Sequence, residues 1–188
     1  MSFDKVDPIF QKDFSFYIFT LPGLEFIRAW LLNLTTIIIM VVAAIYFIAA
    51  SLRGEKMALE GKVRSHLIVL ASFFLVLIAA GYWLGRYELL YSPTGAVFGV
   101  GFTDDHVTLP VRAFLAFAAL ACAAVFLFYL RSAGNRPLFI TIGVLVGLHI
   151  LAGSVLPAMV QRLYVVPSEL DREKSYLANN IELTREAY

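Results

Sequence analysis

The sequence has few charged residues and a single cysteine. Charged residues occupy 15% of its 188 positions, against about 25% in soluble domains. Cys122 lies in an apolar run, so it indicates neither a disulfide framework nor a metal-binding pair. A net charge of +1 offers no basic field to attract nucleic acid. The low charge therefore excludes an ordinary soluble domain and a nucleic-acid-binding protein.

The sequence also lacks the short motifs of known catalytic sites. It contains no P-loop, dinucleotide-binding glycine pattern, zincin motif, nucleophile elbow or haem-attachment CxxCH. No soluble substrate is indicated, and no metal site is predicted. We expect a protein that is not an enzyme.

Apolar residues dominate what is present. Hydrophobic residues make up 60% of the chain, and the mean hydropathy is +0.79. Four stretches contain no Asp, Glu, Lys or Arg, namely 29–52, 65–85, 113–130 and 137–161. A bilayer core needs about 20 helical residues, and backbone groups in lipid must be satisfied within the chain. The sequence predicts an all-α polytopic membrane protein, with a bundle of four transmembrane helices over 29–162.

Lysine and arginine predict the orientation of these spans. The short connections 53–64 and 131–136 contain six cations in 18 residues, and cation-rich short loops face the cytoplasm. Both termini and the long loop 86–112 are then extracytoplasmic. No signal-peptide apolar region precedes the charged N-terminal tail. We therefore expect the chain to be part of a longer or split protein.

The segments outside the spans are predicted to be ordered. Residues 1–28 form an interfacial segment in which a short helix is predicted over 8–23. Phe10, Phe14, Tyr17 and Leu21 share one face of this helix, which Pro22 and Gly23 end. This helix lies either in the membrane interface or as an apolar cap on the bundle. The loop 86–112 contains glycine, proline and apolar residues, which favour fixed turns packed on the bundle.

The tail 163–188 is predicted to be an extracytoplasmic amphipathic helix. Ser168 is placed as its N-cap. One helix face contains apolar residues that need a partner surface, namely Leu170, Leu177, Ile181 and Tyr188. The tail is therefore expected to bind another membrane protein subunit.

His149 is the one titratable residue deep in a predicted span. An ionisable residue at that depth is a functional hypothesis, here as a cofactor ligand or a proton relay. Ligation of a tetrapyrrole by His149 is possible but not favoured. The favoured interpretation is a packing histidine bonded to a neighbouring helix, so the cofactor stays unknown.

Two further groups of residues have a structural and a functional interpretation. Gly143 and Gly147 form a GxxxG, with Ser154 on the same face, and predict a close helix contact, for which the alanines of 113–124 are a plausible counterpart. Asp104, Asp105 and His106 are metal-ligand types, but adjacent residues rarely reach one ion, and a turn is favoured.

Three stretches of the chain resemble the bacterial uncharacterised protein family numbered 0182, multi-pass membrane proteins of unknown function. The first contains Asp7-Pro8-Ile9-Phe10, Asp13, Phe16-Tyr17, Phe19 and Leu21-Pro22. The second contains Tyr91-Ser92-Pro93, Gly95, Val97-Phe98-Gly99, Gly101, Thr103-Asp104 and Leu109-Pro110. The third runs from Gln161-Arg162 through Val165, Pro167, Glu169-Leu170, Glu173, Tyr176, Asn179-Asn180-Ile181 and Thr184-Arg185 to Tyr188.

This resemblance implies a bacterial inner-membrane protein. Family members look like roughly seven membrane helices followed by a large extracytoplasmic domain. The chain then corresponds to the last four helices and the start of that domain, and three missing helices explain an outside N-terminus. The family lends no catalytic residues.

The leading functional hypothesis is a non-catalytic integral membrane subunit, a structural or accessory component of a larger membrane protein complex. Its motivation is an uncharged bundle with faces that lack a partner. The alternative is a transport or channel module of a longer membrane protein, or a cofactor-binding subunit through His149. The spans offer few polar groups for a pathway beyond His149, Asn33 and hydroxyls.

Overall fold

The computed structural model describes residues 3–52, 54, 61–131 and 136–187. In these residues the chain is helical apart from short connections and one isolated β-bridge between Val6 and Asp13. The α-helices are α1 (Leu21–Leu52), α2 (Gly61–Leu84), α3 (Leu109–Phe128), α4 (Arg136–Leu148), α5 (Leu156–Val160) and α6 (Glu169–Ala187). Four helical runs are long and apolar enough to cross a membrane. The predicted all-α membrane fold is confirmed.

Helices continue through prolines at which the sequence suggests a break. A π-helical turn ends two residues before each of four prolines, at Phe16–Thr20, Asp104–Thr108, His149–Val155 and Gln161–Val165. The residue before each proline donates its N–H to the carbonyl five residues back, as Leu21 does to Phe16. Proline lacks an N–H, and its ring clashes with the carbonyl at i−4 in a regular helix. The wider π turn leaves room for the ring.

Several expected boundaries are corrected by these turns. The N-terminal helix begins at residue 14 rather than 8, and it continues into α1 without ending at Pro22. The third helical run extends outward to Asp104, so that within the long loop only Arg86 and residues 92–101 are non-helical. The fourth helical run extends from Arg136 to Arg185. At 1.5 Å per residue it is about 75 Å long, so its second half extends beyond an apolar core of about 30 Å.

The core lies where α2 and α3 pack side by side. Small residues form this contact, and Ala79 of α2 and Ala119 and Ala123 of α3 are at most 4% exposed. Small side chains let membrane helices approach closely. The alanines of α3 therefore pack on α2, whereas the sequence analysis proposed them as a counterpart for Gly143 and Gly147.

The two ends of the bundle differ. At one end, buried Arg64 of α2 donates to the carbonyls of Tyr129 (2.8 Å) and Leu130 (3.1 Å), which end the third helical run. We name this the short-loop end. At the other end, residues 3–15, 92–103 and 161–187 meet, and we name this the junction end.

Candidate functional site

The N-terminal segment is organised at the junction end by one buried carboxylate. Asp7 is fully buried and accepts hydrogen bonds from the backbone N–H groups of Ile9, Phe10 and Lys12 at 2.7–3.1 Å. The Tyr17 hydroxyl donates to the same side chain at 2.7 Å. Asp7 thus holds residues 7–12 as a compact turn, where the sequence analysis predicted a helix from residue 8.

The long loop is fixed by hydroxyl and amide groups. Thr94 donates to Asp104 at 2.8 Å, and its own carbonyl accepts from the side chain of Gln161 at 3.2 Å. The hydroxyl of Thr103 donates to the carbonyl oxygen of the same Gln161 side chain. Gly99 has a φ of +134°, a conformation that favours glycine. The loop is therefore tied to Gln161, two residues before the tail begins.

A polar face of α6 docks on this loop. Glu173 is 1% exposed, and its Oε1 accepts from the backbone N–H of Phe102 at 3.1 Å. Tyr176 donates to Asp105 at 2.7 Å, and Asn180 donates to the carbonyl of Phe98 at 3.2 Å. The three helical residues are spaced i, i+3 and i+7, so they lie on one face.

This face of α6 was not predicted, because its three contact residues are polar and apolar periodicity does not mark them. Glu173, Tyr176 and Asn180 all belong to the stretch that carries the family resemblance, and that was the signal available. Gly95 and Gly101 provide the space: a Cβ on Gly101 would lie 3.0 Å from Glu173 Oε1 and 3.2 Å from the Cα of Gly95.

A second polar group joins the ends of the first three helical runs. Arg112 Nη1 lies 3.8 Å from Glu88 Oε2, and the carboxyl group of Glu25 lies near that of Glu88. The guanidinium of Arg28 lies against Gly81, where an added Cβ would come within 2.7 Å of it. Two cationic and two carboxyl side chains therefore meet near the level at which the apolar stretches end.

The three residues that were considered as metal ligands, Asp104, Asp105 and His106, contact different partners. Asp104 is buried and bonds to Thr94, while Asp105 accepts from Tyr176. His106 stacks on the ring of Phe102 at 4.2 Å between centroids. Within the described residues, no three metal-ligand side chains converge. Asp104 and Asp105 instead hold the loop and the tail together.

His149 lies in a π-helical turn and faces α2. Its Nδ1 is 3.0 Å from the hydroxyl of Tyr82. The pair lies on the wall of an apolar cavity of about 300 Å³ between α2 and α4. The predicted bond to a neighbouring helix is thus present, and the hypothesis of a cofactor at His149 stays a prediction.

The small-residue face of α4 has no partner within the described chain. A Cβ added to Gly143 or Gly147 would meet no atom within 4 Å, and Ser154 is exposed. The close contact is at Gly153 instead, where a Cβ would lie 3.1 Å from Leu115. A contact of Gly143 and Gly147 with another protein stays a prediction.

The apolar face of the tail is open. Leu170 is 80% exposed and Ile181 is 57% exposed, while Leu177 is half-buried. Tyr188, the fourth residue predicted on this face, lies outside the described residues. Ser168 does not cap α6, because its hydroxyl donates to the carbonyl of Tyr164 at 3.1 Å within a continuous helix.

Comparison with known proteins assigns the chain to a family. The family model of the uncharacterised protein family UPF0182 matches residues 1–188. The chain belongs to UPF0182. A UPF0182 protein of Desulforamulus reducens is 39% identical over 189 residues, which cover 100% of this chain and 20% of that protein.

Two further UPF0182 relatives show the same coverage. A protein of Cupriavidus necator is 40% identical over 99% of this chain and 21% of its own length, and one of Nostoc sp. is 35% identical over 99% and 19%. The chain thus spans about a fifth of the length of these relatives. No solved structure matches. The predicted resemblance is confirmed, and the three stretches that carry it are those that meet at the junction end.

Proposed function

We propose that this UPF0182 chain is a non-catalytic membrane scaffold, a structural component of a larger membrane protein complex. Its bundle lies in the bilayer. Its junction end holds α6 in a fixed orientation, in which α6 can contact another protein. The observation that carries the proposal is the burial of Glu173 against Phe102. A tail helix that is both docked and open along Leu170 and Ile181 is suited to bind a partner.

The polar residues of the spans favour a scaffold over a transport module. Thr35, Thr36, Ser72 and Thr141 each donate to the carbonyl four residues back in their own helix. Hydroxyls satisfied in this way provide no chain of groups across the membrane. At the junction end, Asp104 and Asp105 are used in structural hydrogen bonds, which supports a non-catalytic role.

The orientation is part of the proposal. Lys62, Arg64 and Arg136 lie at the short-loop end, which we place on the cytoplasmic side of a bacterial inner membrane. The junction end and both termini are then extracytoplasmic. Glu169→Cys, at an exposed position away from the proposed partner face, should react with a membrane-impermeant maleimide in intact cells, and Lys62→Cys only after permeabilisation. The reverse pattern would overturn the orientation.

Spin-label distances test the scaffold itself. With Cys122 replaced by Ala, labels at exposed Tyr91 and Lys174 report how the tail is held on the loop. We expect a narrow distance distribution in the parent protein and a broad one in Glu173→Ala. Glu169→Ala is the matched control, because Glu169 lies one turn away in the same helix and is exposed. Equal widths in all three proteins would refute a tail fixed by Glu173.

Binding of a partner is tested on the open face of α6. In mild detergent extracts of the native membrane, native mass spectrometry should detect the chain bound to another subunit. Leu170→Glu combined with Ile181→Glu should release that subunit, while Glu169→Ala should retain it. A parent chain that behaves as a monomer in such extracts would contradict the proposed complex.

A further inference from the structure

An apolar groove runs along the bundle between α2 and α4. Its wider part is the cavity of about 300 Å³, bounded by α2, α4 and the ring of Phe126 from α3. A second cavity of about 210 Å³ shares Ala71, Phe126 and Ile142 with the first and extends to Arg64. From Tyr82 to Arg64 the groove follows 18 residues of α2, about 27 Å at 1.5 Å per residue. It is therefore long enough for an extended hydrocarbon tail.

The polar groups of the wider cavity lie at its junction end. Tyr82 and His149 face each other there, with 3.0 Å between the hydroxyl and Nδ1. One of the two donates to the other, which leaves the pair with one further donor and one further acceptor. If Tyr82 donates, the Nε2–H of His149 is the remaining donor; if His149 donates, the Tyr82 hydroxyl is. Unpaired donors are costly in a hydrocarbon environment, so a ligand that satisfies them gains affinity.

The lining of the wider cavity selects the chemistry of the ligand. Tyr82 follows Gly81, against which the guanidinium of Arg28 lies, so the pair is near the level at which the charged residues meet. No charged side chain lines the wider cavity itself. A phospholipid phosphate would find no cationic partner there. A neutral head that accepts and donates hydrogen bonds fits instead.

We propose that this groove binds an isoprenoid quinone, with the quinone head on Tyr82 and His149 and the isoprenoid tail along α2 toward Arg64. A quinone carbonyl accepts the one remaining donor of the pair. A quinol hydroxyl donates to the remaining acceptor, and the tautomer of His149 adjusts to either state. The apolar walls of Leu75, Ile78 and Leu145 match the head and the first isoprene units. This inference concerns binding and is independent of the proposed scaffold role.

Photoaffinity labelling in lipid nanodiscs tests the site. The probe is an azido-substituted quinone with a short isoprenoid tail, and labelled peptides are located by mass spectrometry. We expect label on peptides that contain residues 71–82 and 142–149, and competition by menaquinone-4. Tyr82→Phe and His149→Gln should each weaken competition about fivefold, the effect of about one hydrogen bond.

The chain offers a matched control for the polar pair. Tyr46 and His66 form a second tyrosine–histidine pair, at 3.3 Å, and neither residue lines the groove. Tyr46→Phe should leave labelling unchanged. Ala71→Phe places a large ring in the groove about three helical turns from Tyr82 and should abolish specific labelling. Thermal unfolding of each variant in detergent confirms that the loss is not one of folding.

Three results would overturn the proposal. Labelling spread evenly over lipid-facing helices, unaffected by Tyr82→Phe, would show that the quinone only partitions into the bilayer. Equal competition by palmitic acid would assign the groove to an acyl chain. A photo-crosslink from p-benzoylphenylalanine at Val146 to another protein, without quinone labelling, would show that a helix covers the groove.

Discussion

Glu173 and Phe102 are separated by 71 positions and are joined by a hydrogen bond of 3.1 Å between Oε1 and the backbone N–H. The second carboxylate oxygen, Oε2, is buried and has no hydrogen-bond partner among the described residues. We expect Glu173→Gln to retain docking of the tail, because an amide oxygen can accept from the same N–H. Glu173→Ala should cost about 1.5–3 kcal/mol, the value of a hydrogen bond to a charged group.

Unfolding in mixed micelles, followed by circular dichroism, measures both variants of Glu173. Limited proteolysis of residues 169–187 reports the tail separately. A loss of unfolding free energy in Glu173→Gln as large as that in Glu173→Ala would contradict the role given to Oε1.

Gly101 provides the space in which Glu173 is buried. A Cβ at this position would lie 3.0 and 3.1 Å from the two carboxylate oxygens and 3.2 Å from the Cα of Gly95. Because the carboxylate is held by Phe102, it cannot move away freely, and overpacking of this kind costs about 1–3 kcal/mol. Gly101→Ala should therefore loosen the tail in the proteolysis assay. Gly143→Ala, which adds the same methyl group in open space, should not; equal effects would refute the steric argument.

Tyr176 gives the junction a dependence on pH. Burial, and then the hydrogen bond to Asp105, raise the pKa of the Tyr176 hydroxyl above its ordinary value near 10. A group whose folded-state pKa is raised contributes stability that is complete below the unfolded pKa and is lost as the pH rises toward the folded value. The difference in unfolding temperature between the parent protein and Tyr176→Phe should shrink from pH 9 to pH 11. A constant difference would show that Tyr176 does not ionise on unfolding.

The sequence predicted the spans well and the junction poorly, for a physical reason. A charge-free stretch such as 65–85 is recognisable because lipid excludes charge along its whole length, and α2 covers Gly61–Leu84. The contact of Glu173 with Phe102 depends on tertiary structure, and no local periodicity encodes a pair of residues 71 positions apart. For the pair Tyr82–His149, the sequence predicted only that His149 bonds to a neighbouring helix. It did not identify Tyr82 as the partner.

Prolines were the main source of wrong boundaries. Pro22 and the prolines of the loop 86–112 suggested ends or turns because proline removes a hydrogen bond and its ring clashes in a regular helix. A preceding π turn removes the clash, and it leaves no obvious mark in the composition of segments such as Phe16–Thr20. Without these turns, neither the continuation of the fourth helical run into the tail nor the start of the third helical run could be predicted.

Arg64 stabilises the short-loop end through two carbonyls. Its two terminal nitrogens donate to Tyr129 and Leu130, and the side chain is 9% exposed. Arg64→Lys preserves the charge but cannot reach both carbonyls in the same fork, so we expect a loss of about 1–2 kcal/mol. Arg64→Met should cost more, because both carbonyls then lose a donor. The control is Lys62→Met in the same helix, where the side chain is exposed, and a comparable loss there would contradict the assignment.

Gly143 and Gly147 test whether α4 packs on another protein. Since a Cβ added at either position would meet no other part of the described chain within 4 Å, Gly143→Leu combined with Gly147→Leu should leave unfolding of the isolated chain unchanged. If α4 makes the predicted GxxxG contact, the same double variant should abolish association, because leucine prevents close approach of helix backbones. Native mass spectrometry of detergent extracts measures the assembly, with Val144→Leu as the control on an exposed neighbouring position. An unchanged assembly in the double variant would mean that this face contacts lipid.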